Sequence, residues 1–162
     1  MNVKVMSRDN AVDYCRHGRF EPSVIISISN PYTKYDTEPF KSEKNRVIDI
    51  LRLSFVDADC EGDLDVYGRV ASAADLMNDE KANQVVDFVE KYVDYPIIVH
   101  CDAGISRSAG VAAAILKHYT GDDNQIFGTH RYAPNMLVYY KILKAFGDWG
   151  FIEEDGDIEV EI

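Results

Sequence analysis

Cysteine is scarce in this chain, with three residues among 162 and no spacing that would pair them into a framework. A small secreted domain stapled by disulfides is therefore not the reading to pursue. Long apolar runs are missing too: Val111–Leu116 is the longest, far short of the about 18 residues a membrane span needs. The opening MNVKVMSRDN has neither an apolar core nor a small-residue cleavage pattern, so no signal segment is expected. Repeats, low-complexity stretches and Pro/Gly/Ser linkers are absent, which points to a single domain over residues 1–150 and a short tail over 151–162. Bases are outnumbered, 17 Lys+Arg against 28 Asp+Glu, for a formal charge of −11. That balance argues against nucleic acid or an anionic membrane surface as partner. The expectation is a cytoplasmic protein of a reducing compartment.

What the chain does have is globular composition, 46% apolar and 11% aromatic. Val3–Met6 predicts a short strand, and Ser7 caps a helix reaching about Cys15. Val24–Ser29 reads as a buried strand stopped by Asn30-Pro31. Val47–Phe55 alternates apolar and polar residues, as a second strand would. Asn78, followed by Asp79 and Glu80, starts a helix with Val85, Val86, Phe88, Val89 and Tyr92 on its apolar side. Pro96–His100 is a short apolar strand, Arg107–Tyr119 a small-residue helix, and Pro134–Phe146 the last helix with Pro134 in its first turn. Strands separated by helices imply a three-layer α/β fold, its central sheet mostly parallel and flanked by helices.

The chemistry lies in His100-Cys101-Asp102-Ala103-Gly104-Ile105-Ser106-Arg107-Ser108. This stretch leaves an apolar strand, turns through Gly104 and enters a helix. Backbone N–H groups of such a turn can converge on an anion at the helix N-terminus. A cysteine at the lip of that nest has its thiolate stabilised by the nest and by a nearby cation. Arg107 follows after five intervening residues, so the loop can bring its guanidinium round to grip two phosphate oxygens. Ser108 stands where it can donate to the sulfur. Rival phosphate and redox loops fit worse, because the chain has no Gly-Lys-Ser/Thr triplet and no Cys-x-x-Cys.

HCDAGISRS resembles the HCxxGxxRS signature of the cysteine-dependent protein tyrosine and dual-specificity phosphatases. The resemblance extends over roughly Val47 to Phe146, and the overall form is similar to compact bacterial and phage-type members. It implies two-step hydrolysis of a phosphomonoester without metal or cofactor. Cys101 is the implied nucleophile, and Arg107 the phosphate clamp together with the loop Asp102, Ala103, Gly104, Ile105 and Ser106. Ser108 would assist thiolate departure, and His100 would organise the loop. An aspartic acid must protonate the leaving oxygen. Phe55-Val56-Asp57 is similar to the Phe-x-Asp that ends the preceding strand in small members, so Asp57 is the candidate and Asp59 the reserve. Asn135 in Ala-Pro-Asn resembles the Pro-Asn before the family's last helix. It either steadies the phosphate loop or simply starts that helix. Lys44-Asn45-Arg46-Val47 echoes a phosphotyrosine-recognition segment but is better read as the lead-in to a strand.

The implied partner is a phosphorylated protein or peptide, phosphotyrosine first and phosphoserine or phosphothreonine besides. None of the variable loop positions is basic, and Asp102 is acidic, which sets polyanionic substrates aside. The competing readings are a weakly catalytic module that holds phosphoproteins, and a phosphatase for a non-protein phosphomonoester. Cys60, in the loop of the proposed acid, is better read as an ordinary loop cysteine than as a redox partner of Cys101. The charge itself is localised. Asp57, Asp59, Glu61, Asp63 and Asp65 carry five negative charges and the tail six, together the entire excess. Crowding in the first group predicts raised carboxyl pKa values and a bias against acidic peptides.

Overall fold

All seven residues of Ser23–Ser29 are buried, as a β-branched run must be when both of its faces are covered. The computed structural model describes residues 1–17, 21–32, 40, 46–64 and 68–148. Four strands, β1 (Val3–Ser7), β2 (Ser23–Ser29), β3 (Val47–Ser54) and β4 (Ile97–Cys101), make one sheet in the order β1-β4-β2-β3. Every pairing in it is parallel. The helices are α1 (Arg8–His17), α2 (Asp79–Lys91), α3 (Arg107–Thr120), α4 (Asn124–Phe127) and α5 (Met136–Phe146). Among them no helix is long and apolar enough to cross a membrane.

The period of two sorts the strand residues between the faces. Val24, Ile26 and Ile28 of β2, with Ile97, Val99 and Cys101 of β4, join the large core built with α2, α3 and α5. Ile25 and Ile98 join a smaller core with Ala11 and Cys15 of α1 and with Phe40. The three layers expected of the sequence are present. Alternation also sends neighbours in β4 to opposite sides: Cys101 toward α3, and His100 toward Phe40, whose ring centroid is 4.9 Å away.

Polar caps set where the helices begin. Ser7 Oγ accepts from the Asn10 N–H at 3.1 Å, and Asn78 Oδ1 from the Lys81 N–H at 2.9 Å. The last helix starts later than Pro134, because Asn135 is extended and its Oδ1 accepts from the Val138 N–H at 3.1 Å. Two short elements escape any reading of periodicity, α4 and a 3₁₀ turn at Ala73–Asp75. The small residues of α3 let it sink into the core, buried from Arg107 through Leu116. A Cβ on Gly110 would stand 2.7 Å from the Asn135 carbonyl oxygen, so the start of α5 rests directly on α3. Asp65, Lys44, Asn45 and the acidic stretch 151–162 lie outside the described residues.

Candidate active site

In a parallel sheet the strand C-termini all open at one edge, and that is where ligand sites collect. Here Ser7 ends β1, Cys101 ends β4, Asn30 follows β2, and Phe55 and Asp57 follow β3. The 102–106 turn connects β4 to α3 and lies against the β1–α1 junction. The Arg8 N–H donates to the Asp102 carbonyl at 3.2 Å. Gly104 has φ +70°, and a Cβ there would meet the Ser7 nitrogen at 2.5 Å and the Met6 carbonyl carbon at 2.6 Å. Glycine is required twice over, by the left-handed backbone and by the close approach.

Cys101 keeps 2% of its surface exposed. Its Sγ lies 3.1 Å from Ser108 Oγ and receives the Gly104 N–H at 3.3 Å. Ala103 and Ile105 are exposed, Ile105 at 45%. The Ile105 and Ser106 carbonyls accept from the Ala133 and Asn135 N–H groups at 3.0 and 2.9 Å, which ties the turn to the lead-in of α5. His100 is fully buried, its Nδ1 3.2 Å from the Cys101 carbonyl and its Nε2 2.7 Å from Ser27 Oγ. A carbonyl only accepts, so Nδ1 carries the proton and the Ser27 hydroxyl donates to Nε2. Burial pushes this imidazole down to about 4, against the pull of the Cys101 carbonyl, which keeps it neutral.

Arg107 is buried and almost wholly engaged. Its Nη1 donates to Asn30 Oδ1 at 2.7 Å and to the Phe55 carbonyl at 2.9 Å, and its Nη2 to Asp102 Oδ2 at 3.3 Å. Its Nε is buried with no hydrogen-bond partner among the described residues. A buried donor in that condition is costly unless a ligand completes it. The Asp102 carboxylate is balanced inside the site, by Arg8 Nη2 at 2.8 Å on Oδ1 and by Asn30 Nδ2 at 3.0 Å on Oδ2. The negative charge by which the sequence reading set polyanions aside is thus paired with two arginines.

Asp57 is half-buried, and its Oδ1 accepts from Ser106 Oγ at 2.7 Å and Asn135 Nδ2 at 2.9 Å. The Asn135 side chain therefore caps α5 and holds the segment after β3, through Asp57 and the Ala58 carbonyl, while only its backbone N–H reaches the 102–106 turn. Asp59 is exposed, and desolvation, then the neighbouring Asp57 and Asp63 charges, hold its carboxyl above the usual range despite the Leu137 N–H. Cys60 is exposed and its thiol is pushed up, chiefly by a hydrogen bond to Asp63, which makes it a poor nucleophile. Among the described residues no group of three His, Cys, Asp or Glu side chains could hold a metal ion.

No protein-family model matches the sequence, and no curated protein matches it significantly. Solved structures do. Human DUSP28 superposes with a TM-score of 0.55 at 17% identity, over 93% of this chain and 95% of that one. PTPMT1 gives 0.54 at 17% identity over 96% of both chains. The human tyrosine phosphatase-like serine/threonine/tyrosine-interacting protein gives 0.52 at 16% identity, over 88% and 86%. The chain has the fold of the tyrosine and dual-specificity phosphatases.

On this phosphatase fold, two residues at the site escaped the sequence reading, Arg8 and Asn30. Asn30 announced itself only as a strand stop before Pro31, although a polar residue ending a fully buried parallel strand sits where such sheets bind ligands. Arg8 gave no local signal, since its partner Asp102 lies 94 residues away.

Proposed function

We propose that this protein is a cysteine-dependent phosphatase that hydrolyses phosphotyrosine in a protein or peptide through a cysteinyl-phosphate. One observation carries the reading: the Cys101 sulfur, held by Ser108 and the Gly104 N–H, shares its turn with a buried arginine whose Nε lacks a partner. In the first step the Cys101 thiolate attacks phosphorus while Asp57 protonates the departing oxygen. In the second, Asp57 takes a proton from water, water attacks phosphorus, and the thiolate leaves with the Ser108 hydroxyl donating to it. Arg107 Nε and the turn's N–H groups bind the equatorial oxygens, more tightly as charge develops on them. Neutral His100 and Asn135 hold the turn and the acid in register. Burial of the sulfur supports an aromatic ester, whose reach exceeds that of a phosphoserine side chain. The acidic surroundings of Asp57 support peptides with neutral or basic flanks.

A second reading is a polyanionic, non-protein phosphomonoester, and the pairing of Asp102 with Arg8 favours it. One neighbour of this fold, PTPMT1, has been solved in complex with PI(5)P, at a TM-score of 0.51. The experiment is turnover of para-nitrophenyl phosphate, phosphotyrosyl and phosphoseryl peptides and a phosphoinositide, with EDTA and reductant present. Wild type is expected to be active on the aryl and phosphotyrosyl esters. Cys101→Ser abolishes turnover, and Asp57→Asn lowers kcat by about 10²-fold or more, against a small loss for Asp59→Asn. Inactive wild type overturns the enzyme reading, and an active Cys101→Ser overturns the mechanism. A larger loss in Asp59→Asn reassigns the acid, and preferential turnover of the phosphoinositide replaces the substrate.

A further inference from the structure

Asp102 puts a carboxylate one residue from the sulfur, in the turn that would receive a phosphate dianion. Taken alone this is an unfavourable place for negative charge, because a like charge in a partly desolvated turn repels both the thiolate and the incoming anion. The structure balances it from outside the turn. Arg8, the first residue of α1 and 8% exposed, donates to Asp102 Oδ1 at 2.8 Å, and its backbone N–H takes the Asp102 carbonyl at 3.2 Å. Asn30 sits between the two charged groups. Its Nδ2 gives 3.0 Å to Asp102 Oδ2 and its Oδ1 receives Arg107 Nη1 at 2.7 Å. Asp102 Oδ2 also takes Arg107 Nη2, at a longer 3.3 Å.

We propose that Arg8 is a positioning residue for the Arg107 clamp, acting through Asp102 with Asn30 as the bridge; this rests on the phosphatase reading of the site. With Oδ1 neutralised by Arg8, the carboxylate holds Arg107 by one oxygen only. The guanidinium plane is then fixed by Asn30, the Phe55 carbonyl and Asp102, and its Nε stays unpaired for a phosphate oxygen. Without Arg8, both Asp102 oxygens turn to Arg107 in the fork geometry that carboxylate and guanidinium prefer. Arg107 is then drawn off the phosphate position and its charge is spent on Asp102. Arg8 touches no reacting atom in this scheme.

The test is a double-mutant cycle read two ways, as kcat/KM on para-nitrophenyl phosphate and as the dissociation constant of tungstate by calorimetry. Arg8→Met is expected to weaken both by about ten- to hundredfold, the worth of a lost charged hydrogen bond. Asp102→Asn has a smaller effect. The double variant Arg8→Met with Asp102→Asn recovers to within about threefold of Asp102→Asn alone, because the carboxylate charge that Arg8 no longer balances is gone. A merely structural Arg8 predicts the opposite, a double variant as weak as Arg8→Met or weaker. That result overturns the proposal, as does an Arg8→Met protein indistinguishable from wild type. If circular dichroism shows Arg8→Met unfolded, Arg8→Lys carries the same cycle. Its smaller loss must vanish in the Asp102→Asn background, and a loss that persists there overturns the proposal. Wild type that binds tungstate without turnover removes the enzyme reading and leaves the cycle readable through affinity. Wild type that does not bind tungstate overturns both.

Discussion

The Asn135 side chain is divided between two tasks: Oδ1 caps α5 at the Val138 N–H, and Nδ2 donates to Asp57 at 2.9 Å. The nearest candidate acid to the phosphate turn is thereby tied to the start of a helix that itself rests on α3. The two halves of this arrangement are separable by substitution. Asn135→Ser keeps a capping oxygen and loses the bond to Asp57, whereas Asn135→Ala loses both. The expected outcome is a kcat loss of similar size in the two variants, with only Asn135→Ala losing about 1 kcal/mol of stability. Urea midpoints alongside kcat on an aryl phosphate check it. A full kcat in Asn135→Ser would sever the link between the cap and the acid.

Gly104→Ala tests the seat of the turn. The added Cβ meets backbone of Met6 and Ser7 below 3 Å at a φ of +70°. A non-glycine residue in that conformation costs about 1–3 kcal/mol before any clash. The variant should fold with a lowered urea midpoint and lose tungstate affinity by more than tenfold, whereas Gly121→Ala, with open space around its Cβ, should leave affinity intact.

Ser108→Ala should separate the two chemical steps. The hydroxyl lies 3.1 Å from the sulfur, where it can serve the sulfur as leaving group more than as attacking nucleophile. Rapid mixing with an aryl phosphate should show a burst of phenolate followed by a slow steady state. A single slow phase would place the role of Ser108 in the first step.

Stability should fall as the solution is acidified through the range where His100 resists its proton. The imidazole has its ordinary pKa of 6.5 in the unfolded chain and about 4 when buried. Between those values the unfolded state binds the extra proton, so stability contributed by neutral His100 is complete above pH 6.5 and lost as pH falls toward 4. The full effect is about 3 kcal/mol. Urea unfolding at pH 7 and 4.5 should show this part of the decline missing from His100→Gln.

Much of this was legible from local sequence because its causes are local. The short, mostly apolar β4, the small-residue α3, and the caps at Ser7 and Asn78 each announce themselves within a few residues. The candidate nucleophile, the candidate clamp and the turn glycine sit in one contiguous stretch, so chain geometry alone brings Cys101, Gly104 and Arg107 together. What the sequence did not carry is pairing across the sheet. Asp102 reads as an exposed acidic loop residue until Arg8 arrives from the start of α1 and Asn30 from the end of β2, and its charge is then paired. The dual role of Asn135 was invisible for the same reason, because Asp57 lies 78 residues before it. Asp57 against Asp59 was ambiguous at two-residue spacing. The fold separates them by tying one to Ser106 and leaving the other exposed.

Among the described residues β1 lies at the edge of the sheet and pairs with β4 alone, yet Gly104 and Asp102 take their seat from Met6, Ser7 and Arg8. A strand at the chain terminus with one neighbour in the sheet is held by few partners and belongs to the segments expected to open locally. Its release strips the phosphate turn of its floor while α2, α3 and α5 stay packed on β2 and β4. Loss of the turn's seat and global unfolding are then expected as separate transitions. The expected outcome in mild urea is loss of tungstate binding ahead of the helical signal, with tungstate itself protecting the first strand from hydrogen exchange.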